Sequence, residues 1–86
     1  MYSPQLLIFL FLVYRIEMSE LSQKIGQLIR KIRMEKKISQ ESLALQCGID
    51  RSYLGRIERG EVNLSVEKLY EIANTLEVHI RDLLPK

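Results

Sequence analysis

The sequence contains a single cysteine, Cys47, and a single histidine, His79, among its 86 residues. One thiol closes no internal disulfide, and no Cys/His cluster has metal-ligand spacing. A stapled secreted scaffold is therefore excluded, and a reducing cytoplasm is the expected compartment. The longest unbroken apolar run, Leu6 to Val13, is far short of the ~20 residues that span a bilayer. No positive segment precedes that run and no small-residue cleavage site follows it, so neither a membrane span nor a secretory signal is expected. No stretch alternates with a period of two long enough for a strand, and no repeat or low-complexity tract occurs. Cys47 has apolar neighbours and reads as a small hydrophobe. His79 lacks an acidic partner at metal or catalytic spacing and is expected to cap or border the last helix. Nothing points to an enzyme, a metal or a cofactor.

A chain of this length makes one small domain whose core alone gives little stability, which makes a dimer the natural expectation. Charge is distributed unevenly along it. Residues 24–60 hold nine Lys/Arg against four Asp/Glu, a net +5, while residues 61–86 hold three against five, a net −2. The basic middle suits a polyanion and the acidic end does not. Met18-Ser19-Glu20 reads like a fresh start ahead of a polar, periodic helix. Residues 1–17 are thus expected to form an apolar extension upstream of a natural first residue at Met18, with the domain proper over 18–86. If the extension is present, it is a sticky arm suited to burial in a dimer.

From Ser19 onward the apolar spacing is helical throughout, and the expected fold class is all-α with five helices. Helix 1 is expected from about Glu20 to Met34, with Ile25, Leu28, Ile29 and Ile32 on one stripe. Ser39 is placed to cap helix 2, whose Leu43, Ala44 and Cys47 face inward until Gly48 supplies the positive φ of a helix end. Asp50 should cap helix 3, residues 51–59, which buries Leu54 and Ile57 and stops at Gly60. Ser65 should cap helix 4, on which Val66, Leu69, Ile72, Ala73 and Leu76 repeat. A short helix around Ile80 to Leu84 ends before Pro85.

Two helices joined by a short glycine-containing turn, the second exposed and basic, form the helix-turn-helix arrangement of DNA-binding proteins. The break at Cys47-Gly48-Ile49 swings helix 3 away from helix 2 while Ile49 plugs the corner. Over about residues 22–84 the chain resembles the Cro/phage-repressor-like, or XRE, family, a five-helix lambda-repressor-like fold. The resemblance rests on Ser39-Gln40-Glu41, Leu43-Ala44, Gly48-Ile49-Asp50, Ser52-Tyr53-Leu54 and Ile57-Glu58-Arg59-Gly60. Within that family, DRSYLGRIERG followed by Asn63-Leu64-Ser65 looks most like the controller proteins of restriction–modification systems, a run that many stand-alone regulators nearly share.

The resemblance implies a set of site residues. Arg51, Ser52 and Arg56 would meet base edges, an arginine suiting guanine O6 and N7. Gln40, Tyr53 and Asn63 would hold the phosphate backbone, although Tyr53 could equally be core. Lys36 and Lys37 are either further phosphate contacts or a solvated face. Arg33 would pair with Glu58, with a direct phosphate contact as the alternative. Where many relatives carry a longer polar side chain this chain has Gly55, which removes one base contact. Tyr70, Val78, Ile80 and Leu84 exceed what so small a bundle hides and are assigned to a dimer interface.

The expected partners are double-stranded DNA, a second copy of the chain and RNA polymerase, with no membrane. The expected function is sequence-specific transcriptional regulation at a near-palindromic operator, as a restriction–modification controller. The alternatives are a phage-type repressor, an autoregulating antitoxin, or a protein-interaction module on the same fold.

Overall fold

The computed structural model describes the backbone of residues 3–86 and the side chains of residues 3–14 and 20–86. Met1, Tyr2 and the side chains of residues 15–19, around the start expected at Met18, lie outside the described residues. Among the described residues there are five helices and no strand. They are α1 (Pro4–Glu35), α2 (Gln40–Cys47), α3 (Arg51–Glu58), α4 (Val66–Leu76) and a short 3-10 helix (Ile80–Leu83).

Helix α1 corrects the expected Glu20 start. It begins at Pro4, with Ser3 as N-cap accepting the Leu6 N–H at 3.2 Å, and runs for 32 residues. Proline suits the first helical position, where its missing N–H has no partner to lose. No further proline or glycine interrupts the backbone before Gly26, so the helix propagates through residues 17 and 18 without a break. From Leu6 to Tyr14 every side chain is exposed. No helix of the described residues is long and apolar enough to cross a membrane.

The turns follow local chemistry. Ser39 caps α2 through the Ser42 N–H at 3.0 Å, and Ser65 caps α4 through the Lys68 N–H at 3.0 Å. Gly48 closes α2 at φ 70°, a left-handed conformation that a Cβ would strain. Asp50 occupies the N-cap of α3 but makes no side-chain capping hydrogen bond. Helix α3 ends one residue earlier than expected, with Arg59 as its C-cap. The terminal helix is a 3-10 turn that ends at Leu83, and the His79 N–H at its start donates to Asp82 Oδ2 at 3.1 Å.

Ile29, Leu43, Leu54, Ile57, Ile72, Leu76 and Leu83 are the largest fully buried side chains, so every helix contributes to one core. Half-buried Ile25, Ile32, Cys47, Ile49 and Tyr53 pack around it. Cys47 Sγ lies 3.4 Å from Thr75 Oγ1, tying α2 to α4.

Helices α1 and α3 pack tightly against each other. A Cβ at Gly26 would lie 2.4 Å from the Ile57 carbonyl oxygen and 2.7 Å from that of Glu58. Only glycine admits α3 this near to α1.

Candidate nucleic-acid interface

Helix α3 divides cleanly by burial. Leu54, Ile57 and Glu58 point into the molecule, and Arg51, Ser52 and Arg56 are exposed. Neither Arg51 nor Arg56 has an acidic partner among the described residues. Three polar side chains, two of them cationic, are thereby held on the outer face of a short helix whose inner face is locked in the core.

The lock is ionic as well as apolar. Arg33 Nε donates to Glu58 Oε2 at 2.7 Å and Arg33 Nη2 donates to Glu58 Oε1 at 3.0 Å, a bidentate pair. Its carboxylate side is 2% exposed. The third nitrogen, Nη1, donates to the Ile38 carbonyl at 2.9 Å. A buried guanidinium is tolerated because its donors meet acceptors, and no buried side-chain polar atom among the described residues lacks a partner. The pair fixes α3 to α1 and the turn before α2 to both.

Gln40, assigned to the phosphate backbone, is half-buried at the start of α2. Its Nε2 donates to Glu58 Oε1 at 2.9 Å, so Glu58 receives two side chains from two helices. An amide NH₂ carries a second N–H, and this one remains for an outside acceptor.

The other expected backbone contacts are dispersed. Asn63 is exposed, and its Oδ1 accepts from Ser22 Oγ at 2.8 Å, which ties the loop before α4 to α1. Tyr53 is half-buried against the core. Lys36 and Lys37 are exposed in the turn after α1, Lys37 in the left-handed region at φ 59°. At the far end, Tyr70 and Leu84 are exposed, whereas Val78 and Ile80 are half-buried on the core. Tyr70, Val78 and Ile80 share one shallow groove, and Leu84 lies beyond its lining. Near them on α4, Lys68 bonds Glu71 at 2.9 Å, and that contact holds its ammonium above the usual lysine value.

Sequence reasoning missed two arginines. A cleft of about 530 Å³ opens between α1, the start of α2 and α3, lined by Arg30 and Arg59 together with Arg33, Gln40, Arg51 and Gly55. Gly55 is buried, and a Cβ there would lie 3.2 Å from Arg59 Nη1. The Arg59 guanidinium thus lies beside the place where a side chain at position 55 would start. The signal was present in the spacing: Arg59 follows Gly55 by four positions, and Arg30 follows Gly26 by four.

A family model described as Helix-turn-helix matches residues 29–83. The control protein C.BamHI of Bacillus amyloliquefaciens is 43% identical over 60 residues, covering 69% of this chain and 74% of that protein. The control protein C.MunI of a Mycoplasma species is 36% identical over 67 residues, covering 77% of this chain and 90% of that protein. Among solved structures, the restriction-modification controller protein C.AhdI from Aeromonas hydrophila superposes with a TM-score of 0.71 at 41% identity. That match covers 73% of this chain and 96% of that one. With the family model spanning more than half of its length and the turn geometry in place, the chain belongs to the XRE-type helix-turn-helix family of DNA-binding transcriptional regulators.

Proposed function

We propose that the chain binds a near-palindromic operator as a two-fold dimer and serves as the controller of a restriction–modification system. The observation that carries this reading is the outer face of α3, where Arg51, Ser52 and Arg56 stand exposed above a buried Arg33–Glu58 pair. Arg51 and Arg56 supply bidentate donors for guanine in a major groove, and Ser52 adds an adaptable hydroxyl. Gln40, Tyr53, Asn63, Lys36 and Lys37 hold flanking phosphates, with the second N–H of the Gln40 amide free for that role. Tyr70, Val78, Ile80 and Leu84 meet the same residues of a second copy, which sets the two α3 helices ~34 Å apart. Occupancy of the operator then blocks RNA polymerase at one site or recruits it from another, without catalysis or a cofactor. The similarity to control proteins of restriction–modification systems supports the narrower assignment.

The test is a titration of the purified chain with a duplex carrying the region upstream of its own gene, against scrambled duplex, at several salt concentrations. Specific regulation predicts a preference of ~10³-fold or more and a steep salt slope. Equal, weak binding to both duplexes would overturn autoregulation. Sedimentation without any dimer at the binding concentrations would remove the two-fold arrangement.

A further inference from the structure

We propose that the stretch of α1 from Leu6 to Tyr14 is an association arm, which packs against the same arm of other copies and joins them into assemblies larger than a dimer. The inference does not depend on DNA. It uses a surface apart from the groove at Tyr70, whose lining comes from α4 and the residues after it. Helix α1 enters the core through Ile25, Ile29 and Ile32, and Tyr14 stands ~16 Å up the helix from Ile25. The chain extends 52 Å along its longest axis against 25 and 19 Å across it, and a helix of 32 residues supplies about 48 Å of that length. The arm therefore projects from the body of the domain as a rod. Its side chains range in exposure from 36% at Val13 to 61% at Phe9.

Side chains exposed by about half, at about 150 Å² for each whole one, present on the order of 700 Å² of apolar surface over this stretch. The largest apolar patch of a typical monomer is ~300–600 Å², and a stable contact buries ~800 Å² on each partner. The arm is thus of interface size. Leu7, Ile8, Phe9 and Leu10 follow one another at steps of about 100° and point in four directions around the axis. A helix with one polar side can lie on a lipid surface, whereas one that is apolar all round is stable only when it is surrounded. No Asp, Glu, Lys or Arg occurs from Pro4 to Tyr14, so no charge on the arm recruits a nucleic acid, a charged peptide or an anionic headgroup. The stretch rises only ~13 Å, less than half of a ~30 Å hydrocarbon layer. The surface of matching length and matching lack of charge that every copy supplies is another arm. One neighbour covers one of the four directions, so several arms pack together as in the interior of a helix bundle. With the groove at Tyr70 serving a pair of chains, the arms join pairs.

The experiment is sedimentation velocity of the full chain without DNA, across a wide range of protein concentration. Wild type is compared with Tyr70→Glu and with two double variants, Leu7→Glu with Leu10→Glu and Leu7→Lys with Leu10→Lys. Leu7 and Leu10 are exposed, so a charge there costs the isolated chain little, and circular dichroism with thermal unfolding checks that helix and core are kept. Wild type should form species larger than a dimer. Either double variant should raise the concentration that this requires by about 100-fold or more, because like charges meet between the arms. An equimolar mixture of the Glu and Lys proteins should recover the larger species at low salt and lose them at high salt, which misfolding would not produce. Tyr70→Glu should keep the arm-driven association. Wild type that is never larger than a dimer, double variants that sediment as wild type does, or loss of all association in Tyr70→Glu would each overturn the arm contact. Flotation with phosphatidylcholine vesicles tests the competing occupant. If wild type floats, the double variants stay behind and no larger species forms without lipid, the arm belongs to a lipid surface and the contact between copies is wrong.

Discussion

Gly26 of α1 and Ile57 of α3 approach so closely that a Cβ on the glycine would stand 2.4 Å from the Ile57 carbonyl oxygen. The obstructing atom is backbone and has nowhere to rotate. Gly26→Ala must therefore push α3 off α1, with an overpacking cost of about 1–3 kcal/mol. A urea midpoint equal to that of wild type would show that the helices can part without loss.

Glu58 is the acceptor on which Arg33 and Gln40 converge. Glu58→Ala would strand a buried guanidinium, and removing one member of such a pair costs about 3–5 kcal/mol. We expect loss of folding before any selective loss of DNA affinity. Arg33→Met combined with Glu58→Met should be milder than Glu58→Ala alone, because no charge is left buried. Chemical denaturation of the three proteins checks the order, and normal stability with lost DNA binding in Glu58→Ala would contradict it.

At Gly55 the obstruction is different, since the nearest atom is the far end of a flexible arginine at 3.2 Å. Alanine is the better helix former by ~1 kcal/mol, and Arg59 can yield by a few tenths of an ångström. Gly55→Ala should raise the thermal midpoint. A lowered midpoint would mean that the Arg59 guanidinium is held over the glycine more firmly than its exposure suggests.

Arg56 and Lys36 should separate reading from holding. Arg56→Ala should cost about 1–3 kcal/mol on the correct duplex and relax the preference at one base pair. Lys36→Ala should weaken every duplex alike and make the salt slope shallower by about one. Competition against single-base operator variants distinguishes the two patterns; uniform weakening by Arg56→Ala would remove it from base recognition.

Tyr70 is 57% exposed beside half-buried Val78 and Ile80. Tyr70→Glu places a carboxylate on the lining of that groove with little cost to the exposed position, and should shift the monomer–dimer equilibrium towards monomer. Analytical ultracentrifugation across concentration would reveal an unchanged equilibrium, and in that case the groove is not the contact between copies.

Much of this protein was legible because the determining interactions are local. Ser39 and Ser65 cap helices wherever an apolar repeat follows, Gly48 ends one because of its own φ, and the spacing of Leu43, Leu54, Ile57, Leu69, Ile72 and Leu76 assigns the inner faces. The basic face of α3 is likewise a matter of counting along a helix. Helix α1 shows where local reading failed: the polar residues around Glu20 looked like a helix start, but a helix with no breaker continues through a change in polarity. Tertiary structure decided what depends on residues distant in sequence. It set Gly26 against α3, turned Gln40 onto Glu58 and brought Arg30 and Arg59 to one recess. Such contacts depend on how near two helices come, and the size of the side chain between them controls that distance.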